Sequence, residues 1–156
     1  MRKQMSPTFE KLNLKTETEI LVVNAPPSFE PEIALLAGVK VLRSPAQSKI
    51  LRFALAFVTK QVELDALSQV LSAKADGDAI LWIAYPKQSS KQYQCEFNRD
   101  SGWDVLKKAG YETVRMVAID ADWSALRFRK VQYIKSLTRP PSRTSSKAGK
   151  RRASVK

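Results

Sequence analysis

Histidine is absent from this chain, cysteine occurs once, at Cys95, and glycine only five times in 156 residues. Each shortage removes something. Ser-His-Asp and Cys-His catalysis both need an imidazole that titrates near neutrality, and His/Cys zinc centres need several ligands of types missing here. A lone cysteine cannot close an internal disulfide. In a polar loop with no histidine to activate it, Cys95 reads as an inert thiol. No run approaches the ~20 apolar residues a membrane-spanning helix requires. The opening Met-Arg-Lys-Gln-Met-Ser-Pro has no apolar signal region behind its charges. The expectation is a soluble, cytoplasmic protein without a metal centre. Asp120 and Asp122 are the one carboxylate pair at the end of a clear strand.

Acidic residues are scarce in one place above all. The chain has 27 Lys and Arg against 15 Asp and Glu, a net charge of +12, yet from Lys135 onward there are eight basic residues and no acidic one. The rest carries only +4. The segment 135–156, with Pro140-Pro141 followed by Ser, Arg, Lys and Gly, has no apolar periodicity and reads as a disordered basic tail. Residues 1–134 read as a single α/β domain, long enough to bury about two-thirds of the surface of its unfolded chain.

The most apolar short run is Ala-Ile-Leu-Trp-Ile-Ala-Tyr-Pro-Lys over 79–87, which follows Asp76-Gly77-Asp78 and stops at a proline. It reads as the central strand of a sheet, with Lys87 just past its carboxyl end. Around it the pattern alternates. Ser6-Pro7-Thr8-Phe9-Glu10 starts a short helix. Residues 20–23 form a buried strand, 31–37 a two-turn helix stopped by Gly38, and 39–43 an edge strand. Residues 51–58 form a third strand, reached through an extended loop too short for a helix. Thr59 caps a helix whose buried face is Val62, Ala66, Leu67, Val70 and Leu71. A second helix begins at Asn98 or Asp100, passes Trp103 and Leu106, and stops at Gly110. Residues 113–119 then pair as a hairpin with 124–131, since Asp120-Ala121-Asp122-Trp123 is too short for a parallel return. The fold class is α/β, a doubly wound, mostly parallel sheet of about six strands with a final antiparallel strand.

This order of elements resembles the core of the Rossmann-like methyltransferases. More narrowly, Leu81-Trp82, Pro86-Lys87, Ala109-Gly110 and Asp122-Trp123-Ser124 with Arg127 resemble a family of small bacterial proteins known only as a domain of unknown function, over residues 11–130. The wider resemblance implies S-adenosylmethionine at a glycine-rich loop after the first strand. Asn24-Ala25-Pro26-Pro27 stands there, and Arg43-Ser44 replaces the acidic residue expected after the second strand. Two prolines remove two N–H donors. The cofactor is therefore left unassigned, and S-adenosylmethionine is not expected to bind.

The candidate ligand-binding residues are Asn24, Thr59, Lys60, Pro86, Lys87, Trp123, Ser124 and Arg127. If the last strand runs antiparallel to the central one, Trp123-Ser124 adjoins Pro86-Lys87, and the ends of the first and third strands open onto the same edge. An amide, hydroxyls, ammonium groups and an indole suit a small anion or nucleotide. Each residue also has a plainer role: Thr59 as a helix cap, Lys60 and Lys87 as solvated cations, Asn24 in a turn, Trp123 in packing, Arg127 in an ion pair with Asp120 or Asp122. Trp82 and Trp103 read as core. Three functions remain open. One is a non-catalytic or regulatory binding domain with a degenerate methyltransferase-like fold. Another is an enzyme acting on a phosphorylated or nucleotide-like substrate, with Lys87 as electrostatic stabiliser and Asp122 as base. The last is a non-specific nucleic-acid binder acting through the tail.

The charge distribution gives a first prediction. If about five tail charges meet phosphates, the logarithm of duplex DNA affinity falls against log salt with a slope of about −4.5. Deleting 139–156 is expected to abolish this binding without moving the melting midpoint. A truncated protein that still bound DNA at physiological salt would show that the tail is not its source.

Overall fold

The structure, a computed structural model, describes residues 6–134, so the expected disorder of 135–156 lies outside the described residues. Its centre is the strand read from the sequence, here extended to β4 (Ala75–Pro86), in which every residue from Ala79 to Pro86 is buried. The other strands are β1 (Glu19–Val23), β2 (Lys40–Leu42), β3 (Leu51–Phe57), β5 (Tyr111–Ala118) and β6 (Trp123–Lys130). They form one six-stranded sheet in the order β2-β1-β3-β4-β6-β5. Neighbours from β2 to β4 are parallel, whereas β6 runs antiparallel to both β4 and β5. This is the doubly wound, mostly parallel α/β sheet with a reversed strand that the pattern of elements implies.

Alternation along β4 divides the core in two, because successive side chains point to opposite faces. Ile80, Trp82 and Ala84 join Phe9, Leu12, Phe53, Leu55 and Phe57 under α1 (Pro7–Lys11) and α2 (Glu30–Ala34). Leu81, Ile83 and Tyr85 join Leu64, Leu71 and Leu106 under α3 (Gln61–Lys74) and α4 (Asp104–Lys108). The short α1 is held at its start by the Ser6 hydroxyl, which accepts from the Phe9 N–H at 3.1 Å. After its end, the Leu12 carbonyl accepts from Nε1 of fully buried Trp82 at 2.7 Å. The connection from β2 to β3, expected as an extended loop, holds one 3-10 turn, Pro45–Gln47, capped by Ser44 and kept compact by side chains. Gln47 accepts from the backbone N–H groups of Arg43 and Ser44, and the Lys74 ammonium donates to the carbonyls of Pro45 and Ser48 at 2.5 and 2.7 Å.

Several local expectations are corrected. On α3 the buried residues are Leu64, Ser68 and Leu71 with Leu67 packed beside them, while Val62 is 76% exposed. Apolar residues surround this helix, so periodicity does not choose a face; three leucines bury more apolar area than Val62, Ala66 and Val70. Thr59 does not cap α3. Lys60 holds the cap position without a side-chain bond, and the Glu96 carboxylate accepts from the Gln61 N–H at 2.9 Å. The helix after β1 ends earlier than expected, at Ala34 with Leu35 as its cap, so Gly38 at φ +76° lies beyond it and does not stop it; Pro27–Phe29 adds a 3-10 turn ahead of α2. Asp76-Gly77-Asp78 is not a turn before the strand but a bulge within it. The register jumps from Leu51↔Ala75 to Phe53↔Ile80, and Gly77 takes φ +57°. The helix expected from Asn98 begins only at Asp104, since Gly102 stands at φ +100° outside helical space. A Cβ there would lie 2.6 Å from the Phe97 Cβ. Among the described residues no helix is long and apolar enough to cross a membrane.

Trp82→Phe keeps most of the ring but leaves the Leu12 carbonyl without its donor. The expected cost is about 1–3 kcal/mol in urea unfolding, with the fold retained. An unchanged stability would show that this bond is not what fastens α1 to the sheet.

Candidate functional site

Parallel pairing brings the carboxyl ends of β1, β3 and β4 to one edge, and the reversed β6 starts beside them. Val23 faces Ala56, the Val58 N–H donates to the Ala84 carbonyl at 2.9 Å, and Pro86 faces Trp123. The Lys87 N–H continues the ladder to the Asp122 carbonyl at 2.7 Å. At the end of β4, on the side of α3 and α4, lies an open concavity of about 960 Å³. Its floor is Tyr85, Pro86 and Ser124, and its walls come from the segment between Lys87 and Asp100.

That segment is irregular but tightly bonded. The Ser90 hydroxyl donates to Asp122 Oδ1 at 2.8 Å and accepts from the Tyr93 N–H. The Glu96 N–H donates to the Thr59 carbonyl at 3.0 Å. Asn98 Oδ1 accepts from the N–H groups of Asp100 and Ser101, and Trp103 Nε1 donates to the carbonyls of Asn98 and Arg99. Gln61 Nε2 donates to the Gly102 carbonyl, tying the far end to α3. The concavity carries Lys87 and Arg99 as cations, Glu96 and Asp100 as anions, and the amides of Gln88, Gln94 and Asn98. Glu96 is already committed to the start of α3. Burial, as the largest influence, pushes the Tyr85 hydroxyl and the Cys95 thiol up; for Cys95 a backbone hydrogen bond from Phe97 opposes it and the Glu96 charge adds to it. Both stay neutral around pH 7.

Of the residues singled out in the sequence, Pro86, Lys87 and Ser124 line this concavity together. Asn24, Thr59 and Lys60 sit at the same edge of the sheet but do not line it. Asn24 is an exposed residue at φ +58°, the half-buried Thr59 is engaged with the 87–103 segment through its carbonyl, and Lys60 is exposed. Trp123 is 3% exposed and packs edge-on to Phe57 at 5.1 Å and against Tyr93 at 4.9 Å, so its role is packing. Arg127 lies mid-strand opposite Trp82, away from the turn, so the ion pair with Asp120 or Asp122 does not form. Those carboxylates serve the turn itself: Asp120 accepts from the N–H groups of Asp122 and Trp123, and Asp122 takes the Ser90 hydroxyl. Glu96, Asn98 and Arg99 were not foreseen. The signal for them was length, because a structureless connection of more than about a dozen residues in a compact sheet is usually functional.

The switch point of the sheet lies between β1 and β3, since β2 lies on the other side of β1. There the residues do not fit S-adenosylmethionine. Pro26 and Pro27 offer no N–H, and the Phe29 N–H is spent on the Pro26 carbonyl at 2.9 Å. Phe29, 1% exposed, packs on Phe57 at 4.9 Å, and Phe57 continues to Trp123, so a row of rings occupies this side of the edge. After β2, Arg43 forms a two-pronged pair with Glu30, both prongs 2.8 Å. Among the described residues no group of three or more His, Cys, Asp or Glu side chains could hold a metal ion.

No family model matches the chain, and no curated protein matches it. Among solved structures it is similar to the fibrillarin pre-rRNA processing protein of Methanococcus jannaschii, with a TM-score of 0.48 and 11% identity over 83% of this chain and 70% of that one. It is also similar to the N-methyltransferase NodS of Bradyrhizobium japonicum, with a TM-score of 0.47 and 7% identity over 73% of this chain and 85% of that one. A third is TrmN of Thermus thermophilus, with a TM-score of 0.49 and 8% identity; 79% of this chain is covered but 47% of TrmN, about half of its length.

Proposed function

We propose that the chain is a non-catalytic or regulatory binding domain, built on a degenerate methyltransferase-like sheet, that takes a small anionic ligand in the concavity beyond β4. The observation that carries this reading is the closure of the switch point by Pro26, Pro27 and the row Phe29, Phe57 and Trp123, while a roomy polar hollow stands open one strand further along. Ligands of open α/β sheets sit outside the carboxyl ends of strands, and this hollow is such a place. Lys87 supplies the cation for the ligand's charged group, with Arg99 as a second cation in the lining and side-chain amides for its polar remainder. The backbone of Lys87 is placed by its own bond to Asp122, which leaves only the side chain to be ordered when a ligand binds. The set lacks a histidine or another activated nucleophile, which favours binding over chemistry.

The same reading keeps the chain within a small bacterial family. The supporting observation is spatial: Trp82 faces Arg127, Pro86 faces Trp123, Lys87 bonds Asp122, and Gly110 turns at φ +92° with its carbonyl accepting from Val131. Residues far apart in the chain thus meet along the β4–β6 seam. A cytoplasmic location fits the single, neutral thiol of Cys95.

A thermal-shift screen against nucleotides, acidic metabolites and S-adenosylmethionine tests the proposal. An anionic compound is expected to raise the midpoint and S-adenosylmethionine to leave it unmoved. A ligand at 100 times its Kd adds about 2.7 kcal/mol. Lys87→Ala is expected to abolish the shift while changing intrinsic stability by no more than about 0.5 kcal/mol. Micromolar binding of S-adenosylmethionine, or a Lys87→Ala protein destabilised like a core variant, would overturn it.

Cys95 provides a second measurement. Its raised thiol pKa leaves less thiolate at pH 7–8 than an ordinary cysteine has, so iodoacetamide should react more slowly than with a free thiol. The rate should climb as pH rises past the usual range of about 8.5. The ligand should slow it further, because Cys95 lines the hollow. Fast alkylation at neutral pH would contradict the half-buried, neutral thiol.

A further inference from the structure

Away from the hollow, on the α1 and α2 face of the sheet, the last hairpin places arginine against arginine. Arg115 of β5 and Arg127 of β6 are direct cross-strand partners, and Arg129 follows on the same face of β6. Like charges directly opposite one another in a ladder are destabilising, so the arrangement calls for a counter-charge. Arg129 has its own: Asp78, on the β4 bulge, takes its Nε and Nη2 at 2.9 and 2.5 Å. Arg115 and Arg127 do not. Among the described residues neither makes a side-chain hydrogen bond or ion pair, and Nε of half-buried Arg127 is shut off from solvent without a partner. Glu17 lies near enough for its charge to act on Arg127, yet its carboxylate accepts from the Lys15 backbone N–H. Glu112, opposite Arg129, is not free either. Burial, then the charges of Arg129 and Arg115, outweigh Asp78 and Glu17 and hold the Arg127 guanidinium below its ordinary pKa. Residues 1–5 and 135–156 contain no Asp or Glu that could supply the missing charge.

We propose that this face is an oxyanion site in which a phosphate group bridges Arg127 and Arg115. A guanidinium presents its N–H donors in a planar fork that matches phosphate oxygens; Nε of Arg127 is closed to solvent, so the anion meets the outer end of this half-buried side chain. Side chains opposite one another on neighbouring strands stand close enough, about 5 Å between Cβ atoms, for one tetrahedral anion to meet both forks. Arg115 is exposed, so the approach is open. The group belongs either to a free phosphorylated compound or to a nucleic-acid backbone. The site is distinct from the hollow beyond β4, which lies at the start of β6 and on the opposite face of the sheet.

The test uses the full chain at low ionic strength, titrated by calorimetry with inorganic pyrophosphate and, separately, with a short single-stranded oligonucleotide. Arg127→Leu and Arg115→Gln are expected each to weaken binding about tenfold or more, as the loss of a charge-assisted contact predicts. Arg127→Leu should melt at the same temperature or higher in buffer alone, because it removes a half-buried unpaired charge. Loss confined to pyrophosphate assigns a free phosphate compound, and loss confined to the oligonucleotide assigns a nucleic-acid backbone. The basic tail is identical in all proteins and contributes equally. If both probes bind the variants as they bind the unaltered chain, or bind none of the proteins, the site does not exist. A lower melting point for Arg127→Leu would likewise assign Arg127 to the fold and overturn the proposal.

Discussion

A strand buried on both faces and hydrogen-bonded on both edges constrains everything near it, and β4 is that strand. Its backbone donors and acceptors have no water to turn to, so β3 on one side and β6 on the other must satisfy them. The reversal of β6 follows from the short connection after β5, and it puts the first residues of β6 beside the last of β4. Lys87 gains its fixed position from this pairing, through a backbone bond to Asp122. The hollow opens at the end of this strand, the row of rings reaches across its neighbours β3 and β6, and the arginine pair lies one strand further out, between β6 and β5.

The filled switch point and the open hollow stand at the same edge of the sheet. Prolines after β1 shorten the list of donors and send the chain into a 3-10 turn that drives Phe29 onto Phe57. Aromatic contact of this kind gives tight packing where other open sheets leave a crevice. The long segment after β4 then forms the walls of a different cavity, held by side-chain bonds to the β5–β6 turn and to α3.

Much of this was legible in the chain. The run 79–87, the edge strand, the hairpin and the left-handed stop at Gly110 follow from apolar content, turn length and glycine chemistry, whereas the helix expected to run to Gly38 ends at Ala34. The face of α3 was not legible, because apolar residues lie all round it and only tertiary packing selects Leu64 over Val62. The late start of α4 depends on the approach of Phe97 to Gly102, a contact the sequence cannot announce. Lys87 could be placed at the edge because a proline ends the strand just before it. Trp123 could not be resolved between stacking and packing until Tyr93 and Phe57 were seen against its two sides. The pairing of Arg127 with Arg115, each without a side-chain partner among the described residues, became visible only in the register of β5 and β6.

We propose that a ligand is recognised at the end of β4 and not at the β1–β3 switch point. Amide chemical-shift mapping by 15N–1H correlation spectra, recorded while a compound that raises the melting midpoint is titrated in, tests it most directly. The account predicts changes concentrated at Lys87 through Asp100 and at Ser124, with Asn24, Ala25, Phe29 and Thr59 unmoved. Changes concentrated at Asn24, Ala25 and Phe29, with the 87–100 segment silent, would contradict it.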